Sequence, residues 1–314
     1  MYSIGIDIGG MSIKTGIVDD CGKIILQSRI KTDGTPEQII ERMKVQIDEL
    51  LINSNLSIKQ IKGIGIGCPG AVSSDTGVVE FLPNLGWNKI PLREMLNSKF
   101  DVNIRLSNDA NVAALAEVIY GAAQKYNTCI MFTLGTGVGG GIVIDKKLFE
   151  GGRSFGAELG HTTLVLDGEP CNCGRSGCIE SYISATALIK QTKAAMLKNK
   201  NSLMWEFTNG DIDKVDGRTA FECAKKGDKA AITVRDKYVR YLSESIINML
   251  NIFRPDAFIL GGGVSAQGKY LTDLVQDYCE KKNYGYLSAP RTEIITAELG
   301  NDAGIIGAAA LVNQ

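Results

Sequence analysis

The only histidine of this 314-residue chain, His161, lies close ahead of three of its eight cysteines, Cys171, Cys173 and Cys178. All four fall in the stretch 158–180, ELGHTTLVLDGEPCNCGRSGCIE. One imidazole and three thiolates are enough to close a tetrahedral Zn²⁺ shell and leave no position for water, and a closed shell is structural. A structural metal fixes the shape of a loop. Glu158 stands three residues before the first of these ligands and Glu180 two after the last. Two carboxylates on the shoulders of a metal-pinned loop are well placed to grip a polyhydroxylated ligand. The alternative is a set of ordinary reduced cysteines. The CxCxxxxC spacing in a glycine-rich, core-poor stretch favours zinc, although it is not one of the common finger patterns.

A chain of this length is long for one core, and two domains are expected: residues 1–120 joined by a closing helix at 301–314, and residues 121–300 carrying the cysteine loop. Lys plus Arg number 34 against 35 Asp plus Glu, a formal net charge of −1. Such a balance offers no basic face for nucleic acid and no polybasic patch for anionic lipid. No apolar run reaches the roughly 20 residues of a membrane span. The first residues, MYSIGIDIGG, have neither a basic n-region nor a cleavage site. A cytoplasmic, reducing location follows as the expectation, and disulfides are not expected there. The other five cysteines (Cys21, Cys68, Cys129, Cys223, Cys279) read as small apolar fillers.

Residues 2–10 read as a strand halted by two glycines, and IKTGIVDD and KIILQSRIK continue an antiparallel meander. Ile39, Ile40, Met43, Ile47, Leu50 and Leu51 recur at helical spacing over 35–51, with Pro36 suited to the first turn. Strands are expected at 62–69, where glycines invite a close approach to the backbone, and at 102–106. An alanine-rich helix over 110–120 has Asn108 or Asp109 as its cap. A second cycle begins near Gly121: a strand at 128–134, a glycine turn at 135–141 and a returning strand at 141–145. A long helix spans 228–253, ahead of Pro255, followed by a strand at 257–260, a helix at 270–279, a strand at 293–297 and a helix at 303–311. Both halves open with strand, glycine turn and strand, which predicts two α/β lobes of similar topology with a cleft between them.

Three glycine clusters, Gly9–Gly10, Gly135–Gly141 and Gly261–Gly263, each follow an apolar strand. Glycine lets backbone N–H groups turn toward an anion, and such nests bind phosphate. Any one cluster alone reads as a tight hairpin, whereas three together point to a nucleotide phosphate tail with Mg²⁺. No GxxxxGK[ST] is present. Gly135-Thr136-Gly137 opens a GxGxxG, but strand residues follow where a dinucleotide fold needs a helix. Asp7 is a candidate for the magnesium site through water, and Lys14 either meets a phosphate or is a solvated strand lysine. With the histidine committed to metal, a proton acceptor must be a carboxylate. Asp109, where a strand gives way to a helix, is the candidate base, with a capping role as the alternative.

DIGGxSIK, GIGxxCPG…PNLGW, SNDANVAALAE, LGTGVGGGI, ExGH and CxCGxxGCxE occur here in that order. The set resembles the ROK-family sugar kinases from residue 4 to about 310, and the bacterial glucokinases most. The resemblance implies the two-lobed actin-like, ribonuclease-H-like ATPase fold, with sugar and ATP meeting in an interdomain cleft. It also implies ATP-dependent phosphorylation of a hexose at the 6-hydroxyl, glucose first, in a homodimer or homotetramer. Asp109 would be the base. Asn84, Asn108, Glu158, His161 and Glu180 would hold the sugar. Gly9, Gly10, Gly135, Thr136 and Gly137 would cradle the ATP phosphates, with Gly261, Gly262 and Gly263 bordering the adenosine. His161 would bind zinc through one ring nitrogen and face the sugar with the other. An N-acetylmannosamine kinase or another hexose kinase is the alternative within the family, and a non-catalytic sugar-sensing regulator the alternative outside that class. Some members are repressors with an N-terminal helix-turn-helix, for which a first strand beginning at Tyr2 leaves no room. The chain departs from the family at Met11, where threonine usually follows DIGG. A thioether cannot donate to phosphate, so Ser12 either takes over that contact or ATP is held more weakly.

Overall fold

The computed structural model describes residues 1–285 and 288–314, and these form two units. Unit 1 comprises 1–129, 141–157 and 298–314, and unit 2 comprises 130–140 and 158–297.

Unit 1 begins with the meander β1 (Tyr2–Ile8), β2 (Ser12–Asp19) and β3 (Ile24–Lys31). The next helix, α1 (Pro36–Asn53), starts on a capping box: Thr35 accepts from the Gln38 amide, and the Gln38 side chain accepts from the Thr35 amide. The helical stripe read from the sequence is its buried face. Strand β4 (Ile61–Cys68) follows, then the short strands β5 (Ala71–Ser73), β6 (Val78–Leu82) and β7 (Trp87–Ile90), helix α2 (Leu92–Asn97), β8 (Asn103–Asn108) and α3 (Asp109–Ile119). The main sheet runs β3-β2-β1-β4-β8, antiparallel across β3-β2-β1 and parallel across β1-β4-β8. The C-terminal helix α10 (Ala303–Leu311) belongs to this unit.

That helix explains the alternation of glycine and isoleucine in β4. Ile64 and Ile66 are fully buried in the core with α1. Gly65 faces α10 so closely that a Cβ would stand 1.6 Å from the Ala308 carbonyl oxygen, and one at Gly5 of β1 would stand 1.9 Å from that of Ile305. The close partner anticipated from these glycines is therefore the backbone of the chain's own last helix.

In the second sheet, β9 (Cys129–Leu134), β10 (Val138–Ile144) and β11 (Lys147–Phe149) are joined by β12 (Ala257–Gly261) and β13 (Glu293–Thr296) in the order β11-β10-β9-β12-β13. Sequence order within it repeats that of the first sheet. Unit 2 adds α4 (Glu180–Ile183), α5 (Ala185–Lys198), α6 (Leu203–Phe207), α7 (Thr219–Lys225), α8 (Lys229–Phe253) and α9 (Lys269–Lys282). Asp228 caps α8 through the Ala231 amide, and Arg254 in left-handed conformation ends it before Pro255. The Tyr238 hydroxyl, fully buried on α8, donates to the Ile183 carbonyl at 2.7 Å and ties α8 to α4. Phe132 and Phe258 meet edge to face across β9 and β12.

Several expectations need correction. The returning strand starts at Val138, not Gly141, because Gly139–Gly141 are strand residues. Gly140 admits Leu159 and Gly141 admits Ala114 at distances a Cβ would forbid. Cys21 is exposed and fills no core. The sheet β5-β6-β7 over 71–90 is additional to the elements read from the sequence. The grouping into units also differs from the boundaries at 120/121 and 300/301, since residues 121–129, 141–157 and 298–300 join unit 1. Among the described residues no helix is long and apolar enough to cross a membrane.

Candidate active site

In unit 1 the parallel strands end together. Asp7 pairs with Gly67, Gly67 with Ser107, and Cys68 with Asn108. The C-terminal edge of such a sheet is where ligands bind in open α/β folds. Burial, and then the charges of Asp109 and Asp7, push the Cys68 thiol up.

Asn108 ends β8 and caps α3. Its Oδ1 accepts from the Ala110 amide at 2.9 Å and its Nδ2 donates to the Gly70 carbonyl at 3.1 Å. Asp109 is the exposed first residue of α3, and its Oδ1 also accepts from the Ala110 amide at 2.9 Å. The fully buried Ser107 donates to Glu150 Oε1 at 2.5 Å and fixes the strand end that carries them. Asp7 faces Lys14 at 3.3 Å, and that ammonium also donates to the Asn301 carbonyl. Gly304 leaves the carboxylate its space, since a Cβ there would stand 2.6 Å from the Asp7 carboxyl carbon. The Gly9–Gly10 hairpin closes with the Gly9 amide donating to the Ser12 carbonyl, and the Gly10 carbonyl accepts from the Thr32 hydroxyl. Asn84 lies beside Gly10. Met11 is 85 % exposed, so the departure from threonine removes nothing from the core. The Ser12 hydroxyl accepts from Arg29 Nε at 2.7 Å and keeps its own proton for another acceptor.

In unit 2 the four candidate metal ligands converge, every donor atom within 4.8 Å of the others. Cys171 Sγ lies 3.6 Å from His161 Nδ1, and Cys173 Sγ 3.6 Å from Cys178 Sγ. Zn–S bonds of about 2.3 Å give a tetrahedral edge of about 3.8 Å, so the donor set fits zinc. The Arg175 amide lowers the Cys173 thiol, whereas burial and the neighbouring sulfurs push Cys178 up to about 12. Three thiols so close need a cation to ionise together. The loop is shaped for this arrangement: the Arg175 guanidinium holds the His161 carbonyl and the Thr163 hydroxyl, and Gly174 and Gly177 adopt positive φ.

Glu180 links this loop to the glycine turn. Its Oε2 accepts from the Val138 amide at 3.0 Å, and a Cβ at Gly137 would stand 2.4 Å from that oxygen. Glu158 is exposed and precedes the short 3-10 turn Leu159–His161. The Gly135 and Thr136 carbonyls accept from the Ala185 amide and the Thr186 hydroxyl, so the turn is anchored on the N-terminal residues of α5. Gly261 is buried in β12 with Met131 against it, whereas Gly262 has φ of 82° and Gly263 has open space. Of that cluster, only Gly262 and Gly263 can border a ligand.

The model of the ROK family matches residues 3–314. The chain belongs to the ROK family. Glucokinases of Streptomyces coelicolor and Thermotoga maritima are each 33% identical to it over 99% of its length, covering 98% and 97% of their own. The crystal structure of a ROK family glucokinase from Streptomyces griseus, in complex with glucose and AMPPNP, superposes with a TM-score of 0.81 at 32% identity, covering all of both chains. The fold is the two-lobed, actin-like ATPase fold of ROK sugar kinases, and these relatives support a sugar kinase acting on a hexose.

Four supporting residues are not evident from the sequence: Arg29 on Ser12, Thr32 on Gly10, Glu150 on Ser107, and Glu117. Glu117 is fully buried and accepts from the amides of Ala122, Glu298 and Leu299. A single acid ending SNDANVAALAE was the signal available for it.

Proposed function

We propose that the chain transfers the γ-phosphoryl group of ATP to the 6-hydroxyl of a hexose, with glucose as substrate and glucose 6-phosphate as product. The observation that carries this reading is the placement of Asn108 and Asp109 where β8 gives way to α3. Asn108 is the N-cap residue, and the exposed carboxylate of Asp109, at the first helical position, is the proposed acceptor of the sugar proton. A helix N-terminus keeps Asp109 ionised and makes it a weak base. That suffices where the transition state is loose and the hydroxyl proton leaves late.

Asn84, Asn108, Glu158, His161 and Glu180 hold the sugar hydroxyls in this proposal. His161 commits Nδ1 to the sulfur cluster, and Nε2 remains for the sugar. Gly9, Gly10, Ser12, Gly135, Thr136 and Gly137 receive the phosphates, with Lys14 as a point charge, and Gly262 and Gly263 border the nucleoside. Asp7 would hold the magnesium of MgATP through water, and the ion would neutralise phosphate charge. Zinc on His161, Cys171, Cys173 and Cys178 would fix the loop between Glu158 and Glu180 and take no part in the transfer. The resemblance further suggests a homodimer or homotetramer, and a cytoplasmic location remains the expectation from the sequence.

The two glutamates do not by themselves separate glucose from an epimer or from N-acetylmannosamine. A panel of hexoses in an ADP-release assay tests the reading. Glucose should give the highest kcat/KM, and a higher value for N-acetylmannosamine or another hexose would replace glucose as the substrate.

A further inference from the structure

A cavity of about 710 Å³ in unit 2 is lined by α5, α8 and the residues flanking the cysteine loop. That volume is typical of small-molecule sites. Lys190, Lys198, Lys229 and Lys237 stand on its wall against a single carboxylate, Glu169. Glu169 is taken by Lys190 at 2.7 Å, and Lys237 lies over the Tyr241 ring. Lys198 and Lys229 have no ion pair among the described residues. The rings of Tyr182 and Tyr241, 4.8 Å apart, supply an apolar face beside Val234 and Ala187. Gln191 donates through Nε2 to the Tyr182 carbonyl, while its Oε1 is buried without a partner.

These features make two separate demands on an occupant. It must carry anionic charge for the two unpaired ammoniums and a compact carbon skeleton for the tyrosines. The wall is also continuous with the loop that holds Glu180. The Glu169 amide donates to the Tyr182 hydroxyl at 2.7 Å, and the Gly177 amide donates to the Glu169 carbonyl at 2.7 Å. Tyr182 itself lies two residues after Glu180 in α4.

We propose that this cavity is a regulatory site for a phosphorylated sugar or another small organic phosphate, and that its occupancy alters the grip of the Glu180 loop on the substrate sugar. The binding claim stands independently of the kinase reading, whereas the coupling claim rests on it. Calorimetry on the zinc-loaded full chain, with fructose 1,6-bisphosphate, ribose 5-phosphate and 3-phosphoglycerate as probes, separates the two. At least one probe should bind with submillimolar Kd, more weakly as salt rises. Affinity should drop about tenfold or more in Lys198→Glu with Lys229→Glu. The milder pair Lys198→Ala with Lys229→Ala should lose less in the same direction, and circular dichroism should show both variants folded. The bound probe should shift glucose affinity about fivefold or more in the parent chain and not in the variants. Three silent probes, or equal affinity in the lysine variants, would overturn the site. A variant that binds no probe but also changes from oligomer to monomer in light scattering would assign the face to a second copy of the chain instead. Binding without any shift in glucose affinity would overturn the regulatory half alone, and a chain that binds no hexose would remove the kinase reading and leave the calorimetric result standing.

Discussion

Asn108 and Asp109 are neighbours with equal chemical capacity to cap a helix, and the backbone gives them different work. Asn108 is still extended when the strand ends and takes the cap, while Asp109 is already helical. Replacing Asp109 by Ala should therefore lower kcat about 10²–10⁴-fold, the usual contribution of a general base, with sugar affinity by calorimetry almost unchanged. A collapse of sugar binding would make Asp109 structural. Cys173→Ser removes one of four converging donors. Its zinc content by elemental analysis should fall below one per chain, and sugar binding should weaken with it. Unchanged activity in demonstrably metal-free protein would remove zinc from the account. Much of the candidate site was legible at this scale, because a lone histidine and a cysteine spacing are visible in the letters. The Val138 amide on Glu180 was not, since nothing local announces a contact between residues so far apart in the chain.

Elements show where pattern succeeds and where packing decides. The buried stripe of α1 and the span of α8 were readable, because periodicity is local, whereas their caps Thr35 and Asp228 were read as the first residues of the helices themselves. The strands β5, β6 and β7 span only three to five residues and are interrupted by Pro83, so alternation had no length in which to appear. In β10 the glycines that read as a turn are strand residues making room for neighbours. Gly65→Ala should cost at least the roughly 1–3 kcal/mol of ordinary overpacking, because its methyl would overlap the Ala308 carbonyl. Urea unfolding measures that loss. Asp228 gives a prediction with a pH sign. Burial alone would raise its pKa, but hydrogen bonds from the Ala231 and Leu203 amides and the Ser202 hydroxyl hold it below the usual carboxylate value. A depressed folded pKa gives stability that is present above the unfolded value, near about 3.9, and is lost as pH falls through the folded one. Asp228→Ala should thus destabilise by about 1 kcal/mol at neutral pH, and the gap between parent and variant should narrow below about pH 4. A gap that is constant through acid would contradict the charged cap.

For the molecule as a whole, the repeated strand order of the two sheets was foreshadowed by the repeated strand, glycine turn and strand in the sequence. The unit boundaries were less legible. Residues 141–157 return to unit 1 because of packing partners such as Ala114 for Gly141, which no composition shift marks. Family membership adds the chemistry of a sugar kinase, while the residues of this chain distribute its tasks. The most direct test of that distribution mixes MgATP and glucose with the parent chain and with Asp109→Asn, following ADP and sugar phosphate together. The account predicts one ADP per glucose 6-phosphate in the parent and a loss of both products in the variant, which still binds glucose. Glucose binding by the parent with no ADP formed from any hexose would contradict it and leave a sugar sensor in its place.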